Sequence, residues 1–289
     1  GVRGAARGVA ALRRSDGAFE GVGRLRLRYL TWEVPEPRAA IVLVHGLGEH
    51  SGRYEEAAVR LGGYGFSTYA FDLRGHGVSD GRRGHVPSFE VYLQDLDRFR
   101  REVQGLADPR TTLFLVGHSM GALIALRYHE EYDNPFRALV ALSPWLATVM
   151  PVPRWKVRLA PLLTRVLPAL PLRTGLDPRH ISRDLEVVEA YRNDPLVHDR
   201  ITPRLFEEVS TAMGLVPQRA ERIQGPVLFM VPGADRIVDP KRSLAVARSL
   251  SGVDVTVKHY PSHYHDLLNE TDSALVIQEL RDWLAARIR

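Results

Sequence analysis

A Gly-x-Ser-x-Gly pentapeptide at residues 117–121 constrains this chain more than any other feature. It follows an apolar, β-forming run at residues 113–116 and leads at Met120 into a stretch of helix formers. A strand that becomes a helix within two residues holds the corner residue, Ser119, in a strained backbone conformation. Glycines flank such a corner because a Cβ there would collide with neighbouring backbone. The pattern therefore predicts a serine hydroxyl raised above the end of a buried strand.

Alternating strand and helix patterns surround this corner. An alternating stretch at residues 25–32 is typical of a half-exposed antiparallel strand or hairpin, which we expect at a sheet edge. Continuous apolar runs, typical of strands buried on both faces, follow at residues 39–44, 66–71, 113–116 and 138–142. Amphipathic helices are predicted between them, including a long one at residues 88–106 that Ser88 is predicted to cap. This order predicts an α/β fold whose mostly parallel central sheet is flanked by helices.

The alternation stops after residue 143. Residues 144–217 show no strand pattern, and prolines recur there between short helical pieces, so we interpret this segment as a helical cap. The alternation then resumes, which divides the core into residues 18–143 and 218–289. Residues 1–17 are rich in Ala, Gly and Arg and are predicted to form a flexible lead-in.

Composition excludes several classes of site. The chain has no cysteine, so disulfides, thiol nucleophiles and cysteine-bound metals are excluded. The net charge of +5 comes from arginines scattered among acidic residues, which argues against a nucleic-acid groove. No run of about 18 apolar residues is present. We expect a location in the cytoplasm or at the periphery of a membrane, with export left open, and the sequence does not predict the oligomeric state.

Three predicted strands are followed by residues that together could form a catalytic triad. In open α/β sheets the active groups lie beyond the carboxyl ends of the strands. Ser119 follows one strand, Asp235 follows another, and His265 lies in the loop after the last strand. A serine hydroxyl needs a base to accept its proton, and an acid then orients the histidine and stabilises its charge. The order Ser, Asp, His is one in which such triads occur.

Four other residues are alternatives for the base or the acid. His259 lies within a predicted strand, whereas His263 is only two residues from His265. Asp239 directly precedes a proline and is predicted to cap the next helix. Asp72 precedes a glycine-rich turn, where we expect it to hold the loop by hydrogen bonds.

An oxyanion hole is predicted from two strand ends. One donor is the N–H of Met120, which directly follows the serine, and the other is the N–H of Leu47 in the glycine-rich loop 45–48. Backbone N–H groups aimed at the developing oxyanion stabilise the tetrahedral intermediate of acyl transfer.

Four motifs resemble the monoacylglycerol lipase and lysophospholipase branch of the α/β-hydrolases. They occur in the expected order, at residues 45–54, 72–79, 117–121 and 191–196. The resemblance implies an α/β-hydrolase fold with a helical cap, and cofactor-free, metal-free hydrolysis of single-chain glycerol esters. It matches the catalytic positions to Ser119, Asp235 and His265. It matches the oxyanion donors to Leu47 and Met120.

The resemblance also implies that Glu49, Arg53 and Tyr191 lie near the glycerol end of the substrate. His118 is a further residue expected to bind the substrate. Two positions depart from the resemblance. Ala122 follows the pentapeptide where relatives often have a third glycine. Leu268 stands where some monoacylglycerol lipases carry a second histidine that contacts glycerol, so the alcohol half of the substrate stays open.

The resulting hypothesis is a serine ester hydrolase that acts on a small lipid ester through an acyl-enzyme. Lysophospholipase, thioesterase and general carboxylesterase activities are alternatives on the same triad, and a non-catalytic ligand-binding protein is the alternative of another class. The cap stretch at residues 149–163 combines Trp155, Lys156 and Arg158 with aliphatic residues and no acid. It is predicted either to contact an anionic lipid surface or to roof the substrate pocket.

Overall fold

The computed structural model describes residues 12–133, 135–149, 161–250 and 254–288. The strands in chain order are β1 (Arg13–Glu20), β2 (Arg26–Glu33), β3 (Ala39–Val44), β4 (Phe66–Phe71), β5 (Leu113–His118), β6 (Ala138–Leu142), β7 (Leu172–Arg173), β8 (Arg200–Ile201), β9 (Val227–Pro232) and β10 (Val255–Tyr260). All except β7 and β8 form one sheet, in the order β1-β2-β4-β3-β5-β6-β9-β10. The strands from β4 to β10 in this order pair in parallel, as predicted.

The edge of the sheet is an antiparallel hairpin, the second of the two forms predicted for this region. Strand β2 pairs antiparallel with both β1 and β4, so it is the second strand and β1 is the edge. Strand β1 begins at Arg13 and therefore overlaps the predicted lead-in at residues 13–17. Its glycine and polar residues conceal the strand pattern, because much of β1 is exposed. At Gly17 the ring of Tyr29 from β2 fills the space of a side chain.

Helices cover both faces of the sheet. In chain order they are α1 (Glu55–Gly62), α2 (Glu90–Leu106), α3 (Met120–Glu131), α4 (Leu185–Asn193), α5 (Pro203–Gln218), α6 (Pro240–Ser249) and α7 (Ser273–Ala285). Apolar residues of α2, α3 and α6 belong to one core cluster, and those of α1 and α7 belong to the other. This arrangement confirms the predicted α/β-hydrolase architecture.

The first turns of α6 and α2 are held by different kinds of contact, one local in the chain and one from a distant residue. Asp239 caps α6, as predicted, because its Oδ1 accepts a hydrogen bond of 2.9 Å from the N–H of Lys241. Ser88 was predicted to cap α2, and this prediction is wrong. The N–H of Phe89 instead donates to Glu208 of α5, at 2.8 Å. The start of α2 is thus held by the segment predicted as the cap.

The predicted cap segment is mainly helical where the structure describes it. Residues 161–166 are helical, and α4 and α5 follow. The sequence pattern missed the short antiparallel pair β7–β8, because strands of two residues are too short to show a period. Trp155, Lys156 and Arg158 lie outside the described residues. Among the described helices, none has both the length and the apolar composition needed to cross a membrane.

Candidate active site

The strand-to-helix corner has the strained geometry that its sequence predicts. Ser119 lies between β5 and α3 with φ +54° and ψ −115°, in a region that residues with a Cβ rarely occupy. A Cβ at Gly117 would collide with the backbone of Gly121, and one at Gly121 would collide with the carbonyl of Val44. Both flanking glycines are therefore required by close backbone packing.

The predicted base and acid are in contact. His265 Nδ1 lies 2.7 Å from Asp235 Oδ2, and both side chains are buried. The other carboxylate oxygen of Asp235 accepts hydrogen bonds from the N–H groups of Ile237 and Val238, at 2.7 and 3.1 Å. If Nδ1 donates its proton to Asp235, Nε2 is left as the acceptor that a general base requires. The arrangement therefore suits the role predicted for His265.

Residues next to Ser119 and at the end of β6 contact His265. His118, directly before Ser119, packs its ring against that of His265 with the centroids 4.9 Å apart. Ser143, at the end of β6, donates from its hydroxyl to the carbonyl of His265 at 2.6 Å. These contacts hold the loop that carries His265 against the strand ends next to Ser119.

The four alternative residues have other partners or positions. His259 is exposed on β10, and His263 Nε2 lies 2.9 Å from Asp272 Oδ1. Asp239 caps α6, and Asp72 accepts one hydrogen bond from Val78 of its own loop and two from Ser51 of the segment after β3. None of these contacts joins Ser119 or His265.

The loop of residues 45–48 (the oxyanion loop), which carries the predicted second oxyanion donor, lies directly beside the serine. A Cβ at Gly46 would lie 3.1 Å from the Cβ of Ser119, so the backbone of this loop reaches the nucleophile. Met120 opens α3, and the N–H groups of a first helical turn have no partner within the helix. Both observations suit the predicted donors, the N–H groups of Leu47 and Met120.

Glu49 organises a buried polar cluster behind this loop. Its carboxylate accepts four hydrogen bonds, from Gly46 N, Tyr54 OH, His118 Nδ1 and Arg53 Nε, at 2.6, 2.7, 2.9 and 3.2 Å. Arg53 also lies over the ring of Tyr191, 4.7 Å from its centroid. The structure thus brings together all four residues predicted to contact the substrate. The contacts of Glu49 further show that it holds the oxyanion loop in place.

The cluster is charged although it is buried. Burial alone favours the neutral form of each group, but His118 and Arg53 outweigh it at Glu49 and hold the pKa of this carboxyl well below its usual value. Burial likewise opposes protonation of His118, and the carboxylate of Glu49 outweighs it and raises the pKa of His118 to about 9. At neutral pH the two side chains form an ion pair next to the predicted catalytic base.

Sequence reasoning missed three members of this cluster. Tyr54 donates to Glu49, Asp266 accepts from Arg53 at 3.0 Å, and Asn269 donates to Asp266 at 2.9 Å. Asp266 directly follows His265, so the signal available was an acid next to the predicted base. Leu268, by contrast, is buried in an apolar cluster and supplies no polar group.

A second group of histidines contacts the other part of the oxyanion loop. The rings of His45 and His76 have centroids 5.2 Å apart, and those of His76 and His198 are 4.7 Å apart. His45 Nε2 accepts a hydrogen bond of 2.9 Å from the N–H of Leu73, so this ring is held with Nε2 unprotonated. Burial lowers the pKa of His45, lowers that of His76 well below its usual value and lowers that of His198 to about 4.

The second histidine group connects the oxyanion loop to the cap segment. The N–H of His198 donates to the carbonyl of Gly48 at 2.8 Å. Gly48 has φ +82°, and a Cβ there would collide with the carbonyl of His198. A glycine is therefore needed where the cap segment approaches this loop most closely. His50 adds a second link, because its Nε2 lies 2.8 Å from Asp194 Oδ2.

Comparison with known proteins identifies the family. Residues 35–272 match the family described as "Serine aminopeptidase, S33". A monoacylglycerol lipase of Mycolicibacterium smegmatis is 34% identical over 279 residues, which cover 95% of this chain and 98% of that protein. The human monoglyceride lipase is 34% identical over 259 residues, which cover 87% and 84% of the two chains.

A solved structure supports the same assignment. The crystal structure of the monoacylglycerol lipase of Paleococcus ferrophilus superposes with a TM-score of 0.81 at 37% identity, covering 96% of this chain and 99% of that one. The resemblance found in the sequence motifs is thereby confirmed. The chain belongs to the family described as serine aminopeptidase, S33, and is a monoacylglycerol lipase-like serine hydrolase with the α/β-hydrolase fold.

Proposed function

We propose that this protein hydrolyses monoacylglycerols through an acyl-enzyme on Ser119. The observation that carries the proposal is the strained serine beside a buried His265–Asp235 pair whose Nδ1–Oδ2 distance is 2.7 Å. The names of the relatives, monoacylglycerol and monoglyceride lipases, support a small lipid ester as the substrate.

The proposed reaction has two halves. The Oγ of Ser119 attacks the ester carbonyl while its proton passes to His265 Nε2, and the N–H groups of Leu47 and Met120 bind the oxyanion. Asp235 stabilises the imidazolium that forms. The C–O bond to the glycerol then breaks, and His265 returns the proton to the leaving alcohol. Water, activated by the same histidine, releases the fatty acid and restores the serine.

The charge of the site favours an ester over an N-terminal peptide. An aminopeptidase needs a carboxylate to bind the ammonium group of its substrate. The two buried carboxylates of the cluster, Glu49 and Asp266, are both bound by Arg53, at 3.2 and 3.0 Å. Both negative charges are therefore already paired with Arg53, which leaves neither carboxylate to bind a substrate ammonium group.

A fluorophosphonate probe tests the nucleophile. We expect the wild type to be labelled and Ser119→Ala to be unlabelled, with a loss of kcat on the order of 10⁴-fold or more. Ser249→Ala is the matched control, because Ser249 is exposed at the end of α6. Labelling that persists in Ser119→Ala would assign the nucleophile elsewhere.

The substrate is tested by a panel of monoacylglycerols, lysophospholipids and acyl thioesters of equal chain length. We expect the highest kcat/KM for monoacylglycerols. Lysophospholipids are the second candidate, because the buried, apolar Leu268 offers no polar contact to the alcohol half. A higher kcat/KM for lysophospholipids would replace the first candidate by the second.

We also infer that the cap segment contacts a lipid surface. Residues 144–176 contain no acidic residue. Exposed apolar side chains concentrate in their described part, namely Val149, Leu162, Val166, Leu167, Leu170 and Leu172. Exposed apolar side chains together with the cations Arg165 and Arg173 suit contact with an anionic interface.

Vesicle sedimentation tests this contact. We expect the triple variant Leu162→Ser, Val166→Ser, Leu167→Ser to bind anionic vesicles roughly tenfold or more weakly, because it loses apolar area that would enter the interface. Leu275→Ser is the control, since Leu275 is 51% exposed but lies on α7. Equal binding by the triple variant and the wild type would contradict the contact.

A further inference from the structure

A pocket of about 430 Å³ lies between the cap segment and the loops of the predicted acid and base. Arg179, Arg183 and Leu185 line it from the cap segment, and Arg236 and Tyr264 line it from the core. The two core residues directly adjoin Asp235 and His265 in the chain. The pocket therefore borders the predicted catalytic loops but uses none of the side chains of the triad.

The arginines of the pocket differ in how their charge is satisfied. Arg179 pairs with Asp177 at 2.7 Å, and Arg183 pairs with two carboxylates of the segment after His265. Arg236, in contrast, has no carboxylate partner among the described residues. Its guanidinium lies 5.1 Å from the ring centroid of Tyr264. A contact with the face of a ring leaves guanidinium N–H donors available to an anion.

The apolar side of the pocket contains a highly exposed leucine. Leu185, the first residue of α4, is 77% exposed, the largest exposed fraction among the large apolar residues of the described structure. Val188, one turn later on α4, also lines the pocket, as does the ring of Tyr264. A cation without an acid and an exposed aliphatic surface in one pocket are complementary to an anion that carries an alkyl chain.

We propose that this pocket binds the anionic headgroup of a single-chain lipid. Arg236 contacts the carboxylate or phosphate, and Leu185 packs against the first carbons of the chain. A ligand held there joins the cap segment to the loops of Asp235 and His265. The proposal goes beyond ester hydrolysis, and the binding can be measured without turnover.

The test uses full-length protein in which a long-chain fluorophosphonate occupies Ser119 and its acyl site, with labelling checked by mass spectrometry. Calorimetric titration with sodium decanoate and with decyl phosphate, each below its micelle concentration, is expected to show one equivalent bound. Arg236→Gln should raise the Kd about tenfold, the cost of losing a charge-assisted hydrogen bond. Arg248→Gln is the matched control, because Arg248 is exposed on α6 away from the pocket.

Two further titrations separate the headgroup from the chain. Decanol, which lacks the charge, and acetate and inorganic phosphate, which lack the chain, should all bind at least about tenfold more weakly. Tighter binding of decanoate identifies a fatty acid as the source of the anion, and tighter binding of decyl phosphate identifies a lysophospholipid. Unchanged binding by Arg236→Gln, or equal binding of decanol, would overturn the proposal.

The same design keeps this proposal separate from the proposed function. If the fluorophosphonate does not label the protein, the nucleophile assignment fails, and the titrations on Ser119→Ala still test the pocket. Arg236 is exposed, so its substitution should leave the thermal unfolding temperature unchanged. Leu185→Ser provides a second variant, which should weaken decanoate binding but not acetate binding.

Discussion

The oxyanion loop is contacted by the cluster around Glu49 and His118 and by the group of His45, His76 and His198, and the two differ in charge. His118 is bound by Glu49 at 2.9 Å, and its pKa is raised to about 9. The rings of His76 and His198 lie 4.7 Å apart at a tilt of 42°, neither is hydrogen-bonded to a carboxylate of the described residues, and burial lowers the pKa of both. Burial by itself favours the neutral form of a histidine. Only an acid within hydrogen-bond distance reverses that direction.

The two groups also serve the loop differently. The charged group holds the loop from the core, because Glu49 accepts from the N–H of Gly46. The neutral group holds it towards the cap segment, where His198 donates through its backbone to Gly48. Removing the central acid should therefore damage the first group more than removing one ring damages the second.

The largest expected effect comes from Glu49→Gln. The substitution removes the carboxylate that compensates Arg53 and His118, and we expect the free energy of unfolding at pH 7 to fall by about 3–5 kcal/mol. Urea unfolding measures this loss. Glu56→Gln, at an exposed position on α1, is the control and should change stability by less than about 0.5 kcal/mol. Equal free energies of unfolding for Glu49→Gln and Glu56→Gln would contradict the stabilising role of the Glu49 carboxylate.

The pH dependence of the wild type comes next. Because the folded pKa of His118 is about 9, above its ordinary value of 6.5, its stabilising contribution is complete below pH 6.5 and is lost as the pH rises through 9. We expect this contribution to fall by roughly 3 kcal/mol, measured by urea unfolding between pH 7 and pH 10. The profile of Glu49→Gln should be flatter over this range. A wild-type profile without an alkaline decline would contradict a protonated His118.

The smallest expected effect concerns His198→Asn. The folded pKa of His198, about 4, lies below 6.5, so the neutral ring favours folding above pH 6.5 and this preference is lost as the pH falls towards 4. The variant should be about 1 kcal/mol less stable at pH 7, through the lost ring contact with His76. This gap should narrow by roughly 1 kcal/mol between pH 6.5 and pH 4, after allowance for partial exposure.

His259 provides the control substitution for the acid prediction. It is exposed on β10, so His259→Asn should change the free energy of unfolding at pH 7 by less than about 0.5 kcal/mol. Urea unfolding at a series of pH values between 7 and 4 measures the free energy of unfolding of the wild type, His198→Asn and His259→Asn. If the gap between the wild type and His198→Asn stays constant down to pH 4, His198 does not contribute to acid sensitivity.

Local patterns were predicted well, and features that depend on distant partners were not. The cap of α6 by Asp239 is confirmed, since the acid and the N–H that it binds are two residues apart. The prediction that Ser88 caps α2 is wrong, because Glu208, distant in the chain, takes that position. The hairpin predicted as one alternative for the sheet edge is present, but its first strand β1 begins inside the predicted lead-in, where a polar sequence pairs with β2 along its whole length.

The strand-to-helix corner at Ser119 and the α/β layout around it follow from the local sequence. Strand, turn and helix signals are local, and two glycines are sterically required at the corner. Which histidine is charged depends on contacts that form only in the folded protein. Whether Glu49 reaches His118, or His198 reaches His76, depends on how loops from separate strands meet at one end of the sheet, and the charge follows from the partner found there.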